Sequence, residues 1–338
     1  MFIGISNARV RFWTSALLLS LGTACSGPGR SNETTDPVAP IEIASKPGEW
    51  RPDTGGTQVA LWPEDLALRE PDTGNHPEEV GHGSEPVAGK PWQWASYVTR
   101  PTMTIYRPKG EDAGTTLLVL PGGGYAAVAM DLEGTEICDW ATGKGMTCVI
   151  LKYRVPQDWP RNEEGVREPP EVLLALQDVQ RAIGLLRARF GIAPSKIGVI
   201  GFSAGAHLAA AVSNAETRTY PKVDDADDLS SRPDFAIMMY TGRLWYTANA
   251  PTDLSLAPWV SISKKAPPTL LIHAMDDPVN DVRHPMAYAL ALEKAGVPVD
   301  LRIYSGGGHA FGLRPTSDPI TTQWPAQVEQ WLRNISAL

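Results

Sequence analysis

The sequence predicts an α/β fold, a mostly parallel central sheet with helices packed on both faces. Three observations carry this. Short unbroken apolar runs of strand length recur along the chain, among them Thr116–Leu120 (TLLVL) and residues 146–151 (MTCVIL). Such runs suit strands buried on both faces, where no polar alternation is needed. Between them lie stretches with apolar residues three and four apart, the period of a helix. The two kinds of segment alternate, and strands joined through helices pair in parallel.

Taken in order, residues 103–106 form a short strand, and Thr116–Leu120 is a buried strand that stops at Pro121-Gly122-Gly123-Gly124. A helix follows, marked by Ile137, Trp140 and Ala141 and ended by Gly145, and 146–151 is the next buried strand. Pro169 and Pro170 open a long helix with the stripe Leu176, Val179, Ile183, Leu186, Phe190, and Gly191 stands just past its end. Residues 197–200 read as a strand and the Ala-rich 204–212 as a helix. Residues 235–239 and 270–272 are two more strands, 286–294 is a helix stopped by Gly296, and 299–304 is the last strand. Val328, Trp331 and Leu332 face inward from a closing helix. Residues 47–98, rich in Pro, Gly and Trp without periodicity, read as an extension wrapped on the edge of one domain spanning 47–338.

Composition narrows the function classes. The chain has 338 residues, is 43% hydrophobic and 20% charged, and so can bury a sizeable core. Its net charge of −8 repels phosphate backbones, which argues against nucleic-acid binding. Three cysteines make no disulfide framework. The N-terminus reads as a targeting segment: Arg9 and Arg11, an apolar stretch over 12–21 too short to span a bilayer, then Gly22-Thr23-Ala24-Cys25. It resembles a bacterial lipoprotein signal, with a signal peptide over 1–24, a lipid on Cys25 and a flexible tether over 25–46; ordinary cleavage after Ala24 or nearby is the other reading and still gives export. Export to the periplasm or cell envelope follows, and the lipid is the only predicted membrane contact. Cys138 falls on a helix and Cys148 on the next strand. A helix and the sheet it covers lie about 10 Å apart, beyond the ~7 Å Cα limit of a disulfide, so two buried free thiols are expected.

The sharpest chemical signal is Gly201-Phe202-Ser203-Ala204-Gly205, a G-x-S-x-G between a strand and a helix. A sharp strand-to-helix turn lifts the serine hydroxyl out of the sheet, flanking glycines let neighbouring chain approach, and the helix N-terminus favours developing negative charge. By itself such a pentapeptide is often a chance turn; its position after a strand and before a helix is what selects the nucleophile reading. Gly122-Gly123-Gly124-Tyr125, directly after a buried strand, suits the oxyanion partner. We assign the donors to the N–H groups of Gly123, Gly124 and Ala204. A phosphate loop is the other reading of these glycines, but they lack both GK[ST] and G-x-G-x-x-G.

Six histidines compete as base: His76, His82, His207, His273, His284 and His309. His309 follows the last strand in Ser305-Gly306-Gly307-Gly308-His309 and is the preferred base. His207 lies four residues beyond Ser203 but points into the packing along the helix, a structural position. His273 ends a strand and helps fix the next loop, His284 opens a helix, and the two early histidines have no context. The base needs a carboxylate to hold its tautomer. Asp276 and Asp277 both follow the strand 270–272; Asp277 is preferred and Asp276 is the runner-up.

The segments PGGGY, LKYRVP, GFSAGAHLAA, HAMDDPVN and SGGGHAFGL, in this order, resemble the bacterial acetyl-xylan-esterase-like branch of the α/β-hydrolases, over about residues 99–336. More distantly the chain is similar to hormone-sensitive-lipase-like esterases, from which it departs with Pro121 in place of His and Phe202 in place of Asp. The resemblance implies an α/β-hydrolase fold, a Ser203-Asp277-His309 triad, the acid preceding Pro in "DPV", and exported esterases acting on acetylated plant polysaccharides or small esters, with no metal or cofactor. Tyr125, Trp245 and Trp259 are candidates for the substrate wall, either stacking a sugar ring or capping the core. No long apolar lid helix is present for an interfacial lipase. Two other functions stay open: a serine peptidase of the same fold, whose relatives carry a large propeller at about 40 residues per blade, and a catalytically inactive, surface-anchored glycan-binding protein.

Overall fold

The computed structural model describes residues 47–52, 55–157, 172–189, 196–246, 250–315 and 323–338. The predicted leader, tether and Cys25, the Pro169-Pro170 helix start and the Phe190-Gly191 helix end lie outside the described residues. The elements in chain order are β1 (Gly56–Ala60), β2 (Glu79–His82), β3 (Gln93–Ser96), β4 (Thr102–Tyr106), β5 (Thr116–Leu120), β6 (Ala127–Ala129), α1 (Glu136–Gly143), β7 (Thr147–Lys152), α2 (Leu173–Arg189), β8 (Ile197–Phe202), α3 (Ala204–Asn214), β9 (Phe235–Met239), β10 (Thr269–Ala274), α4 (Arg283–Lys294), β11 (Val299–Tyr304) and α5 (Trp324–Asn334).

Eight strands form the central sheet in the order β1-β4-β7-β5-β8-β9-β10-β11. The six from β7 to β11 run parallel, and β4 and β1 close one edge antiparallel. Every residue of β5, β7, β8, β9 and β10 is buried. A strand can bury both its faces only if both are covered, which is why these segments read as unbroken apolar runs. Register sets Ile150, Val119, Ile200, Ile237 and Leu270 side by side across the middle of the sheet. β11, at the edge, is half-buried and alternates less cleanly.

The extension over 47–98 does more than wrap an edge. It supplies β1 to the central sheet and pairs β2 and β3 with β6 in a second, three-stranded antiparallel sheet. In that sheet Val80, Ala95 and Val128 lie in register on the core side, and Gly81, Trp94 and Ala129 lie on the other. The Trp94 ring occupies the space over Gly81, and the Trp92 ring the space over Gly83. Trp62 ties the extension to the core: its indole N–H donates to Asp178 Oδ1 at 2.8 Å, and the Arg154 and Arg181 guanidinium groups each lie 5.7 Å from its ring centroid. Arg154 and Asp178 are themselves a fully buried ion pair, 2.8 Å apart.

The expectation of two free thiols is corrected: Cys138 and Cys148 form a disulfide, with Cα atoms 5.2 Å apart. The 10 Å figure applies to a helix axis. Cys138 is buried on the side of α1 that faces β7, and a Cα there stands about 2.3 Å nearer the strand than the axis does. The turn through Lys144 and Gly145 also brings helix and strand together at this end, where Met146 N–H donates back to Ala141 O at 3.1 Å.

Candidate active site

Ser203 is the single residue between β8 and α3. Its backbone is held at φ 51° and ψ −114°, a conformation that costs a non-glycine residue about 1–3 kcal/mol and persists only where the surroundings enforce it. The two glycines of the motif are there for close approach. A Cβ on Gly201 would collide with Gly205 O and Ala206 Cα, and a Cβ on Gly205 with the carbonyls of Leu120 and Pro121. Without side chains at these positions, β8 can close on the first turn of α3 and that turn on the end of β5.

The structure brings Ser203 together with His309 and Asp277. Ser203 Oγ lies 3.0 Å from His309 Nε2, and His309 Nδ1 lies 2.8 Å from Asp277 Oδ2. The Asp277 carboxylate is fully buried, and its other oxygen accepts from the N–H groups of Val279 at 2.8 Å and Asn280 at 2.9 Å. The carboxylate thus accepts from the His309 ring and two backbone N–H groups, which fixes it opposite the imidazole. Asp276, the other candidate, turns to the backbone and accepts from Gly308 N–H at 2.8 Å, which fixes the loop just before His309.

The remaining histidines stand elsewhere. His207 is buried four residues into α3, its Nδ1 hydrogen-bonded to the Tyr125 hydroxyl at 2.9 Å, and burial depresses its pKa to about 4. His284 accepts at Nδ1 from the N–H groups of Leu244 and Trp245, and burial likewise lowers its pKa to about 4. His273 binds Asn280 O through Nε2 at 2.9 Å and so steadies the Asp277 loop. His76 stacks on Tyr97, and His82 is an exposed residue of β2.

Gly122-Gly123-Gly124 forms a tight turn, with φ 129° at Gly123 and 61° at Gly124. The Gly123 carbonyl accepts from the N–H groups of Ala126 and Ala127. Gly124 and Ala204 line, with Ser203, a small cavity of about 120 Å³; Tyr125, His207, Gly242, Arg243, Val279 and Asn280 complete it, and Gly123 is not among its walls. A larger cavity of about 530 Å³ adjoins it through His207 and runs beside α3 past Ala211 and Asn214 to Trp259. Of the three proposed wall residues, Tyr125 thus borders the small cavity and Trp259 the large one. Trp245 is buried against His284 with its N–H on Asp253 O, and lines neither.

One side chain of the site was invisible in the sequence. Glu133, in the turn Asp131–Thr135 ahead of α1, is buried with Oε2 on Gly122 N–H at 2.7 Å and Oε1 on the Tyr240 hydroxyl at 2.8 Å. An acidic residue before an amphipathic helix reads as an exposed first-turn carboxylate, so nothing in the pattern singled it out.

Residues 117–313 match the model of a family described by its alpha/beta hydrolase fold. The chain belongs to the α/β-hydrolases. The matched span of this α/β-hydrolase runs from β5 past the His309 loop and contains Ser203, Asp277 and His309. The chain is 26% identical over 248 residues to an acetylxylan esterase of Xylanibacter ruminicola, covering 70% of this chain and 48% of that one. It is 29% identical over 232 residues to an ethyl acetate hydrolase of Pseudomonas putida, covering 61% of this chain and 70% of that protein. The chain spans about half the length of the acetylxylan esterase and 39% of a similar Butyrivibrio fibrisolvens protein named endo-1,4-beta-xylanase B. Among solved structures, an acetyl ester-xyloside bifunctional hydrolase from Caldicellulosiruptor lactoaceticus superposes with a TM-score of 0.62 at 25% identity, covering 83% of this chain and 97% of that one.

Proposed function

We propose that this chain is a serine carboxylic-ester hydrolase that removes short acyl groups, acetyl foremost, from small esters or acetylated hemicellulose such as xylan. The observation that carries the proposal is the pair of hydrogen bonds in series, Ser203 Oγ to His309 Nε2 and His309 Nδ1 to Asp277 Oδ2. In the reaction His309 takes the Ser203 proton as Oγ attacks the ester carbonyl. The N–H groups of Gly123, Gly124 and Ala204 receive the oxyanion. Collapse expels the alcohol, which leaves with the proton from His309, and the acyl group stays on Ser203. Water, deprotonated by the same histidine, then releases the acid and restores the serine. None of these steps calls for a metal or cofactor.

Two further observations support the substrate class. The cavity that Ser203 itself lines, about 120 Å³, has room for a short acyl group. The relatives named above act, by their names, on acetylated xylan and on ethyl acetate. The leader-like residues 1–24 and Cys25 support export with a lipid anchor.

The test is an acyl-release screen over acetylated xylan and nitrophenyl esters of increasing acyl length. Turnover should be fastest with acetyl and fall as the chain lengthens. Ser203→Ala should lower kcat by at least about 10³-fold. Full turnover in that variant overturns the proposal.

A further inference from the structure

Glu133 presents a physical puzzle. It is a buried carboxylate with no cation against it among the described residues, in a setting where an unpaired charge is costly. Burial pushes its carboxyl up from the ordinary value, opposed by the hydrogen bonds from Tyr240 and Gly122 and by the charge of His309 once that ring is protonated. A fold that needed only to fill this space would place an apolar side chain there.

Its contacts explain the cost. Oε2 holds the N–H of Gly122, the first glycine of the turn that carries the oxyanion donors. Gly122 is wedged between Glu133 and the nucleophile: a Cβ there would stand 2.7 Å from Glu133 Oε2 and 3.0 Å from Ser203 Cβ. Oε1 holds the hydroxyl of Tyr240. The Tyr240 ring packs edge-on against His309, centroids 5.0 Å apart, and against Phe311 at 4.8 Å. One carboxylate therefore joins the oxyanion turn to the segment that carries the base. The titratable groups around it are Tyr240, Tyr153 and His309.

Resting on the esterase reading, we propose that Glu133 is a positioning residue for the reaction: it sets the oxyanion turn through Gly122 and the base loop through Tyr240, and keeps them in register with Ser203. It touches neither substrate nor the reacting atoms. The two halves it joins act together only in the transition state, so its loss falls on kcat rather than on KM.

Three variants test this alongside Ser203→Ala, with an acetyl nitrophenyl ester as substrate and circular dichroism to verify folding. Glu133→Ala removes both contacts and should lower kcat about 10²-fold with KM little changed, the scale of a misplaced oxyanion donor. Glu133→Gln can still accept from Gly122 but leaves the Tyr240 hydroxyl proton without its acceptor, so its loss should be intermediate. Tyr240→Phe keeps the ring and removes one contact; it should fold even where Glu133→Ala does not, and should lower kcat about tenfold, again at constant KM. The rate of Ser203 labelling by a fluorophosphonate should fall in the same order. A lowered melting temperature with wild-type kcat in folded Tyr240→Phe and Glu133→Gln overturns this proposal alone. Retained turnover in Ser203→Ala overturns the esterase reading and this proposal with it.

Discussion

Asp276 and Asp277 are neighbours in sequence yet hold two different parts of one loop: Asp277 Oδ2 meets the His309 ring at 2.8 Å, and Asp276 Oδ1 meets the Gly308 N–H at 2.8 Å. One sets the tautomer of the proposed base and the other the backbone that delivers it. Asp277→Asn should lower kcat by about 10³–10⁴-fold, because an amide donor faces the wrong ring tautomer. Asp276→Asn keeps an acceptor for Gly308 and should cost no more than about tenfold. Steady-state kinetics of the two single variants decides it; a larger loss in Asp276→Asn would reverse the assignment.

Two buried neutral histidines make stability depend on acid. His207 and His284 both titrate near pH 4 in the fold, chiefly through burial, against 6.5 when exposed. Between those values the unfolded chain binds the extra protons, so stability rises with pH there. Their contribution is complete above about pH 6.5 and is lost as pH falls toward 4, up to about 3 kcal/mol for each residue. A melting temperature that is level from pH 7 to 8 and drops steadily below 6.5 is expected. His284→Asn, whose side-chain oxygen can still accept from Leu244 and Trp245, should show a shallower acid slope.

The disulfide closes a short loop, ten residues from Cys138 to Cys148. Chain-entropy arguments give such a cross-link about 2–3 kcal/mol. The double variant Cys138→Ala/Cys148→Ala should melt several degrees lower and hydrolyse esters at the wild-type rate, since neither sulfur lies in the cavities at Ser203. A thiol count on the unfolded, unreduced protein tests the bond directly.

The Arg154–Asp178 pair lies wholly out of solvent and also carries Trp62. Asp178→Ala strands a guanidinium in the core and should destabilise the protein by about 3–5 kcal/mol. Denaturant titration measures this, and a loss under 1 kcal/mol would show that water reaches the arginine.

β5, β7, β8, β9 and β10 were legible because burial on both faces leaves apolar runs of strand length, too short for helices. Ser203 and His309 were legible because each follows a strand with glycines around it, and the Asp276-Asp277 step because it follows the strand 270–272 and precedes Pro278. The second sheet was not. Its strands are four residues or fewer, and Gly81 and Gly83, residues that a strand ordinarily avoids, are there to admit the Trp94 and Trp92 rings. Pairing across such positions is a long-range fact that local pattern does not carry. The disulfide lies out of reach only when a helix is reduced to its axis, and the role of Glu133 rests on two partners, Gly122 and Tyr240, from separate segments.

The anchoring of Trp62 beneath Asp178, and of β1 beside β4, bears on how the chain can be shortened. A fragment trimmed to the span shared with other α/β-hydrolases would begin inside β5 and lose both. Its sheet would end in a bare strand with unanswered amides, and a buried carboxylate would forfeit its indole donor. Such a fragment should come out of cells as inclusion bodies, whereas one starting near residue 47 should remain in solution, so a cloning boundary chosen from sequence similarity alone would discard the part that keeps the sheet from joining its neighbours.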